Sequence, residues 1–207
     1  MFEELFMNYP VLKVCKEDIY ESYLTLKNCY YQSGKVLICG NGGSAADADH
    51  IVGELMKGFH NPRRVNEKFL NKLISLYPED GLELGQKIQE ALPALSLTGQ
   101  AAFITAFTND VSAETTFAQQ VYALGLKQDV LLGITTSGNS TNVINAMKIA
   151  QAIGMKTIGL TGQTGGELKK FSSITICVPG TQTDRIQELH LPVYHTICAM
   201  LEAEFFL

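Results

Sequence analysis

The stretch Lys35–Glu54, KVLICGNGGSAADADHIVGE, decides how the rest of the chain is read. Val36, Leu37, Ile38 and Cys39 form an apolar run long enough for one buried strand. Gly40, Asn41, Gly42, Gly43 and Ser44 make a turn of small residues, and helix follows from Ala45 onward. A strand that turns on glycines into a helix N-terminus leaves several backbone N–H groups unpaired and aimed at one spot, where the helix dipole also favours an anion. On that helix His50 and Glu54 lie four residues apart and share a face. A phosphate-friendly turn feeding an imidazole–carboxylate pair points to chemistry on a phosphorylated small molecule. Tight turns use glycine for conformational reasons alone, and His–Glu at this spacing is an ordinary surface pair, so the remaining sequence has to decide.

Working outward, 207 residues with 46% apolar content suffice for one domain around a sizeable core. The net charge of -5 and the lack of a long basic run argue against a nucleic-acid or anionic-membrane partner. No apolar stretch approaches the ~20 residues of a membrane span, and the acidic start MFEELF does not read as a signal peptide. The expectation is a cytoplasmic protein. Cys15, Cys29, Cys39, Cys177 and Cys198 are scattered, odd in number and set in apolar runs, so they read as small buried hydrophobes.

Upstream, Leu12, Cys15, Ile19, Tyr23, Leu26 and Tyr30 recur every three or four positions and predict one amphipathic helix over Pro10–Gln32. It precedes the first strand, so its apolar stripe must pack on the sheet or on another subunit. Downstream, Asn61-Pro62-Arg63-Arg64 marks a break in which both arginines read as solvated, and helices are expected over Val65–Tyr77 and Leu84–Glu90. Regular α/β alternation then resumes. Strands are predicted at Ala94–Leu97, Asp129–Thr135, Lys156–Leu160 and Ile174–Val178, and helices at Gly99–Thr108, Ala113–Leu124, Asn142–Ile153 and Asp184–Phe206. Apolar strands alternating with helices imply an α/β, three-layer α-β-α sandwich with a parallel sheet of about five strands.

A second polar turn, Thr135-Thr136-Ser137-Gly138-Asn139-Ser140-Thr141-Asn142, also lies between a strand's C-terminal end and a helix, where open α/β sheets bind ligands. Capping needs one or two hydroxyls and this turn offers five, which favours a phosphate site; without a lysine it is not a nucleotide P-loop. The closing helix carries Asp184, Gln187, His190 and His195. Helical geometry alone does not choose between the two histidines, and Pro192 is expected to kink the helix before His195.

GNGGSAADADHIVGEL, ALGLKQDVLLGITTSGNSTNVINAM, GMKTIGLTGQTGGEL and TDRIQELHLPVYH, in this order, resemble the sedoheptulose 7-phosphate isomerases (phosphoheptose isomerases) of the sugar isomerase (SIS) fold, a flavodoxin-like arrangement. The resemblance is dense over Lys35–Glu54 and from Asn109 to the C-terminus, and weak across His60–Gln100. It implies a single SIS domain over residues 1–207, with the N-terminal helix (1–34) outside the sheet winding and 60–96 as an atypical inserted segment. It further implies His50, Glu54, Gln187 and His195 as ligands of one Zn2+ per subunit, and Glu54 and His195 as the acid–base pair with Asp184 close by. Asn41, Gly42, Gly43, Ser44, Asn109, Asp110, Thr135, Thr136, Ser137 and Ser140, together with Glu54, Asp184 and Gln187, would line the substrate site. The implied reaction is aldose–ketose isomerisation through an enediol, in a homotetramer, with Glu54 favoured as the base. Two nitrogens and two oxygens suit zinc on chemical grounds as well.

Three rivals are weighed against this. Non-enzymatic relatives of the same fold that bind the bacterial replication initiator lack the catalytic Glu and the final His, and both are present here. A regulatory phosphosugar-binding SIS domain would need only the two turns. An isomerase of another phosphosugar is supported by the departures Lys57-Gly58 where a Gly-Arg pair is usual, Gln100 for Asp, and Pro192, whereas Thr135 for Ser keeps the hydroxyl.

Overall fold

The computed structural model describes residues 1–207. Five strands, β1 (Val36–Gly40), β2 (Ala94–Ser96), β3 (Val130–Thr135), β4 (Lys156–Thr161) and β5 (Ile174–Cys177), form one all-parallel sheet in the order β2-β1-β3-β4-β5. The helices are α1 (Phe2–Asn8), α2 (Lys16–Tyr31), α3 (Gly43–Met56), α4 (Glu67–Leu76), α5 (Gly81–Lys87), α6 (Ala101–Asp110), α7 (Thr116–Leu124), α8 (Thr141–Ile153) and α9 (Thr183–Phe206).

β1 is buried along its whole length, as expected of a central parallel strand covered on both sides. Its alternate side chains serve two cores. Val36 and Ile38 pack with residues of α2, α3 and α9, whereas Leu37 and Cys39 pack with residues of α7 and α8. This is the three-layer sandwich expected from the sequence. The chain adds β2 to one edge of β1 and then crosses back to place β3 on its other edge. β1 and β3 therefore flank the point where the winding reverses, and the loops leaving their C-terminal ends open there side by side, where ligands bind in such sheets.

Several local expectations change. Pro10–Gln32 is not one helix: a separate α1 precedes it, and Pro10–Cys15 is a 3-10 segment leading into α2. At three residues per turn, positions i and i+3 superpose; Leu12 and Cys15 are accordingly buried together while Val11 and Val14 are exposed together. The apolar stripe of α2 settles on this chain's own core, through Ile19, Tyr23, Leu26 and Tyr30. The strand β3 starts one residue late because the buried Asp129 carboxylate accepts the Lys35 and Leu126 N–H groups. α9 runs unbroken across Pro192. The helical bond that proline cannot make belongs to the carbonyl of Glu188, on the exposed face.

The largest correction concerns Arg63. Read as solvated, it is instead 2% exposed and bound on every side. Its Nε donates to Glu202 Oε1 (2.9 Å), and its terminal nitrogens donate to the carbonyls of Leu55 (2.6 Å) and Glu54 (3.0 Å). Its guanidinium carbon lies 4.5 Å from the Phe206 ring centroid. The carbonyls at the end of α3 lack helical partners, and the arginine supplies them while answering a buried carboxylate. Beyond Arg63, α4 and α5 pack on one another as a helical hairpin in which α4 buries no residue.

Candidate active site

α3 begins where β1 ends. Gly42, the N-cap residue, has φ +55°, a left-handed conformation that glycine adopts without a Cβ penalty. At Gly43 a Cβ would overlap Gln187 Nε2, so the missing side chain is what lets α9 lay its glutamine on the start of α3. Ser44 is buried just inside the helix. One to three turns on, α3 presents Asp47, His50 and Glu54, spaced by three and four and therefore on one face.

α9 brings Tyr194 and His195 against that face. His50 Nε2 lies 3.2 Å from Glu54 Oε1 and 3.4 Å from His195 Nε2, and His50 Nδ1 lies 3.1 Å from the Tyr194 hydroxyl. The same hydroxyl is 3.2 Å from Asp47 Oδ1. Phe59 closes one side, its ring centroid 5.3 Å from that of His195. Glu54 is only 8% exposed, and its Oε2 is buried without a hydrogen-bond partner, the Lys57 ammonium standing 3.6 Å away. Burial, reinforced by His50 and His60 and opposed by Glu54, holds the His195 pKa below the ordinary histidine value, so His195 is a neutral imidazole at neutral pH.

The choice between histidines that spacing leaves open is made by packing. His190 is fully buried with neither ring nitrogen hydrogen-bonded, and burial lowers its pKa to about 4 against the pull of the Thr161 backbone. His195, not His190, faces α3.

The donor set can be compared with a metal. Bonds of about 2.0–2.1 Å in tetrahedral zinc put neighbouring ligand atoms about 3.3–3.4 Å apart. The spacings of 3.2 and 3.4 Å around His50 Nε2 resemble such edges, and imidazole and carboxylate are zinc donors. The contacts are pairwise through His50, however, and no three His, Cys, Asp or Glu side chains close around one point. Gln187 lies over Gly43 and makes no hydrogen bond to the other three.

The second turn lies across the switch point. Thr135 Oγ1 is 2.9 Å from Ser140 Oγ and 3.5 Å from Ser137 Oγ, and Ser137 Oγ accepts the Asn139 N–H (3.1 Å). Ser140 precedes α8 without giving it a side-chain cap, so capping does not account for its hydroxyl. Thr136 is half-buried beside them. The Asn41 and Asn142 amides exchange two hydrogen bonds of 2.9 Å, joining the glycine turn to the hydroxyl turn. Asn41, expected among the substrate-lining residues, thus spends its side chain on this latch.

Three of the expected site residues are not brought to the cluster within this chain. Asn109 and Asp110 are the last residues of α6, exposed and bonded to each other (2.8 Å), and Asp184 is exposed in the first turn of α9. Conversely, the sequence reading passed over Asp47, although its three-residue spacing from His50 puts it on that face, whereas the parts of Tyr194, Asn142, Phe59, Arg63 and Glu202 had no local signal.

A SIS domain family model matches residues 84–162. The phosphoheptose isomerase of Aliarcobacter butzleri (strain RM4018) is 42% identical over 180 residues, covering 87% of this chain and 79% of its own length. That of Helicobacter pylori (strain P12) is 38% identical over 193 residues, covering 93% and 85%. This chain belongs to the phosphoheptose isomerase family. Solved structures agree across nearly all of the chain. The phosphoheptose isomerase GmhA from Neisseria gonorrhoeae superposes with a TM-score of 0.76 at 32% identity, over 98% of this chain and 95% of that one. A phosphoheptose isomerase from Francisella tularensis superposes at 0.77 and 32%, over 98% and 94%. The chain is a phosphosugar isomerase of the SIS α/β fold. None of its helices is long and apolar enough to cross a membrane.

Proposed function

We propose that this isomerase interconverts sedoheptulose 7-phosphate and a heptose 7-phosphate through an enediol. The observation that carries the reading is the convergence of Glu54, His50 and His195 around α3, whose glycine turn is joined through Asn41 and Asn142 to the hydroxyl-rich turn at the sheet's switch point. The phosphate is assigned to the turn Thr135–Ser140 at the start of α8, where hydroxyls and helix N-terminal amides suit a dianion. The carbon chain then runs over Gly42–Ser44 toward α3.

Glu54 is assigned as the base. Its Oε2, which makes no hydrogen bond and has only the Lys57 ammonium at 3.6 Å, is assigned to take the proton from the carbon next to the carbonyl, giving the enediol. Returning that proton to the neighbouring carbon completes the exchange of ketose and aldose. The neutral His195 moves protons between the two oxygens; exchange of these roles between Glu54 and His195 is the alternative assignment. His50, Glu54, Gln187 and His195 are proposed to hold one zinc ion, which when bound supplies Lewis-acid polarisation of the carbonyl and adjacent hydroxyl. For Gln187 this requires movement away from Gly43. Asn109, Asp110 and Asp184 are retained as substrate-site candidates. The working unit is proposed to be a homotetramer of one SIS domain per chain, with 60–96 as an insertion.

The segment 60–96 favours one second reading, an isomerase of a different phosphosugar. It places Arg63 under Glu54 and begins directly after Phe59 at the site wall. The deciding experiment is an assay with sedoheptulose 7-phosphate, with and without a chelator. Heptose 7-phosphate formation that a chelator abolishes supports the proposal, and no heptose product under zinc-replete conditions moves the substrate to another phosphosugar. Glu54→Gln should abolish turnover while leaving phosphosugar binding largely intact, and near-normal activity would refute the assignment of Glu54.

A further inference from the structure

We infer that Tyr194 is a positioning residue that sets the tautomer and orientation of His50, acting in a chain with Asp47. The inference rests on the proposed roles of the His50 cluster. Tyr194 is 3% exposed, and its hydroxyl lies between two polar atoms of α3, His50 Nδ1 (3.1 Å) and Asp47 Oδ1 (3.2 Å). The hydroxyl has one proton to give. A carboxylate can only accept, so the proton goes to Asp47, and the hydroxyl oxygen is left as an acceptor facing His50 Nδ1. The contact is satisfied when His50 carries its proton on Nδ1. With the proton there, Nε2 keeps the lone pair that a metal ligand or a proton acceptor needs, against the pull of the Glu54 carboxylate, which at 3.2 Å favours a proton on Nε2.

The packing around the ring holds the orientation as well as the proton. The Tyr194 ring meets the His50 ring edge-on at 5.6 Å and 75°, and meets that of His195 at 5.0 Å and 86°. The His50 imidazole is thus gripped from α9 on its Nδ1 side while its Nε2 side stays open to the cluster. Tyr194 follows from no spacing rule: it sits next to His195 in sequence yet serves the histidine on the other helix. Without the hydroxyl nothing opposes the pull of Glu54 Oε1 on the proton at Nε2, and that tautomer, which blocks the lone pair, would gain population.

Tyr194→Phe removes the hydroxyl and keeps the ring. With four histidines in the chain, long-range 1H–15N spectra of 15N-histidine-labelled, metal-free protein can be assigned by single His→Gln variants. His50 should carry a larger Nδ1–H fraction in the wild type than in Tyr194→Phe, where it shifts toward Nε2–H, and loss of the buried hydroxyl should lower the thermal midpoint by only a few degrees. Zinc affinity, by competition with a chromophoric chelator, should fall about 10- to 100-fold in the variant, and kcat should fall more than KM rises. Asp47→Asn, which weakens the acceptor that orients the hydroxyl, should move the tautomer in the same direction. An unchanged His50 tautomer in Tyr194→Phe, or a wild-type His50 already protonated on Nε2, overturns the inference. The tautomer is read without substrate or metal, so failure of the sedoheptulose or zinc assignment shows separately, as a wild-type enzyme without that activity or affinity.

Discussion

Replacing Arg63 by Met tests the claim that the chain's most deeply bound cation anchors the end of α3. The side chains of Arg63 and Glu202 are 0% and 1% exposed and 2.9 Å apart. Removing the guanidinium leaves the Glu202 carboxylate buried without its cation and takes donors from the Glu54 and Leu55 carbonyls. Breaking one side of a buried pair costs about 3–5 kcal/mol, a large part of the 5–15 kcal/mol by which a domain is stable. With a urea m-value of roughly 2–3 kcal/mol/M, the unfolding midpoint should fall by about 1–2 M. Concentration must be held constant, because any association adds to apparent stability. The double variant Arg63→Met/Glu202→Met sharpens the test. An isolated buried pair can often be replaced by apolar residues at no loss. Here Glu202 also accepts the N–H groups of Phe59 (2.7 Å), His60 (2.8 Å) and Asn61 (3.2 Å), each of which would be orphaned at about 1–3 kcal/mol. The double variant should therefore stay destabilised. A midpoint shift below about 0.3 M in the single variant, or wild-type stability in the double, would refute the reasoning.

Acid should weaken the fold partly through His190. Burial holds its native pKa at about 4, below the ordinary 6.5 of the unfolded chain. Between these values the unfolded state binds a proton that the native state refuses, so stability falls as pH drops from 6.5 toward 4, by up to ~1.4 kcal/mol per pH unit. Urea midpoints of wild type and His190→Leu across pH 7 to 5 should differ by that slope, and parallel curves would contradict it. Gln187→Leu, at a half-buried position, should retain the fold and lower zinc affinity in a chelator competition; unchanged affinity would remove Gln187 from the ligand set. Asn142→Ala should free Asn41 and loosen the two turns relative to each other, raising KM several-fold in the isomerase assay while stability changes by less than about 1 kcal/mol, since the pair is exposed.

What the sequence determined by itself was local or periodic. The apolar runs of β1, β3 and β4 announce parallel strands because both faces are buried, and their alternation with helices limits the fold to an α/β sandwich. The turns at Gly40–Ser44 and Thr135–Asn142 are legible because glycines and hydroxyls have few other uses between a strand and a helix. The four-residue step from His50 to Glu54 places them on one face in any helix. Tertiary structure decided what depends on contacts between segments distant in sequence. It set His195 against His50 and sank His190 beneath the sheet, a choice that helical spacing leaves open because both project from α9. It buried Arg63, whose partner Glu202 lies 139 residues away and whose other acceptors are backbone carbonyls that carry no sequence signature. It split Pro10–Tyr31 into a 3-10 segment and a helix, since Leu12 and Cys15 satisfy either period. For the stretch at Lys35–Glu54 the division is the same: its own residues specify a strand, a turn and a helix face, and the partners of that face come from α9.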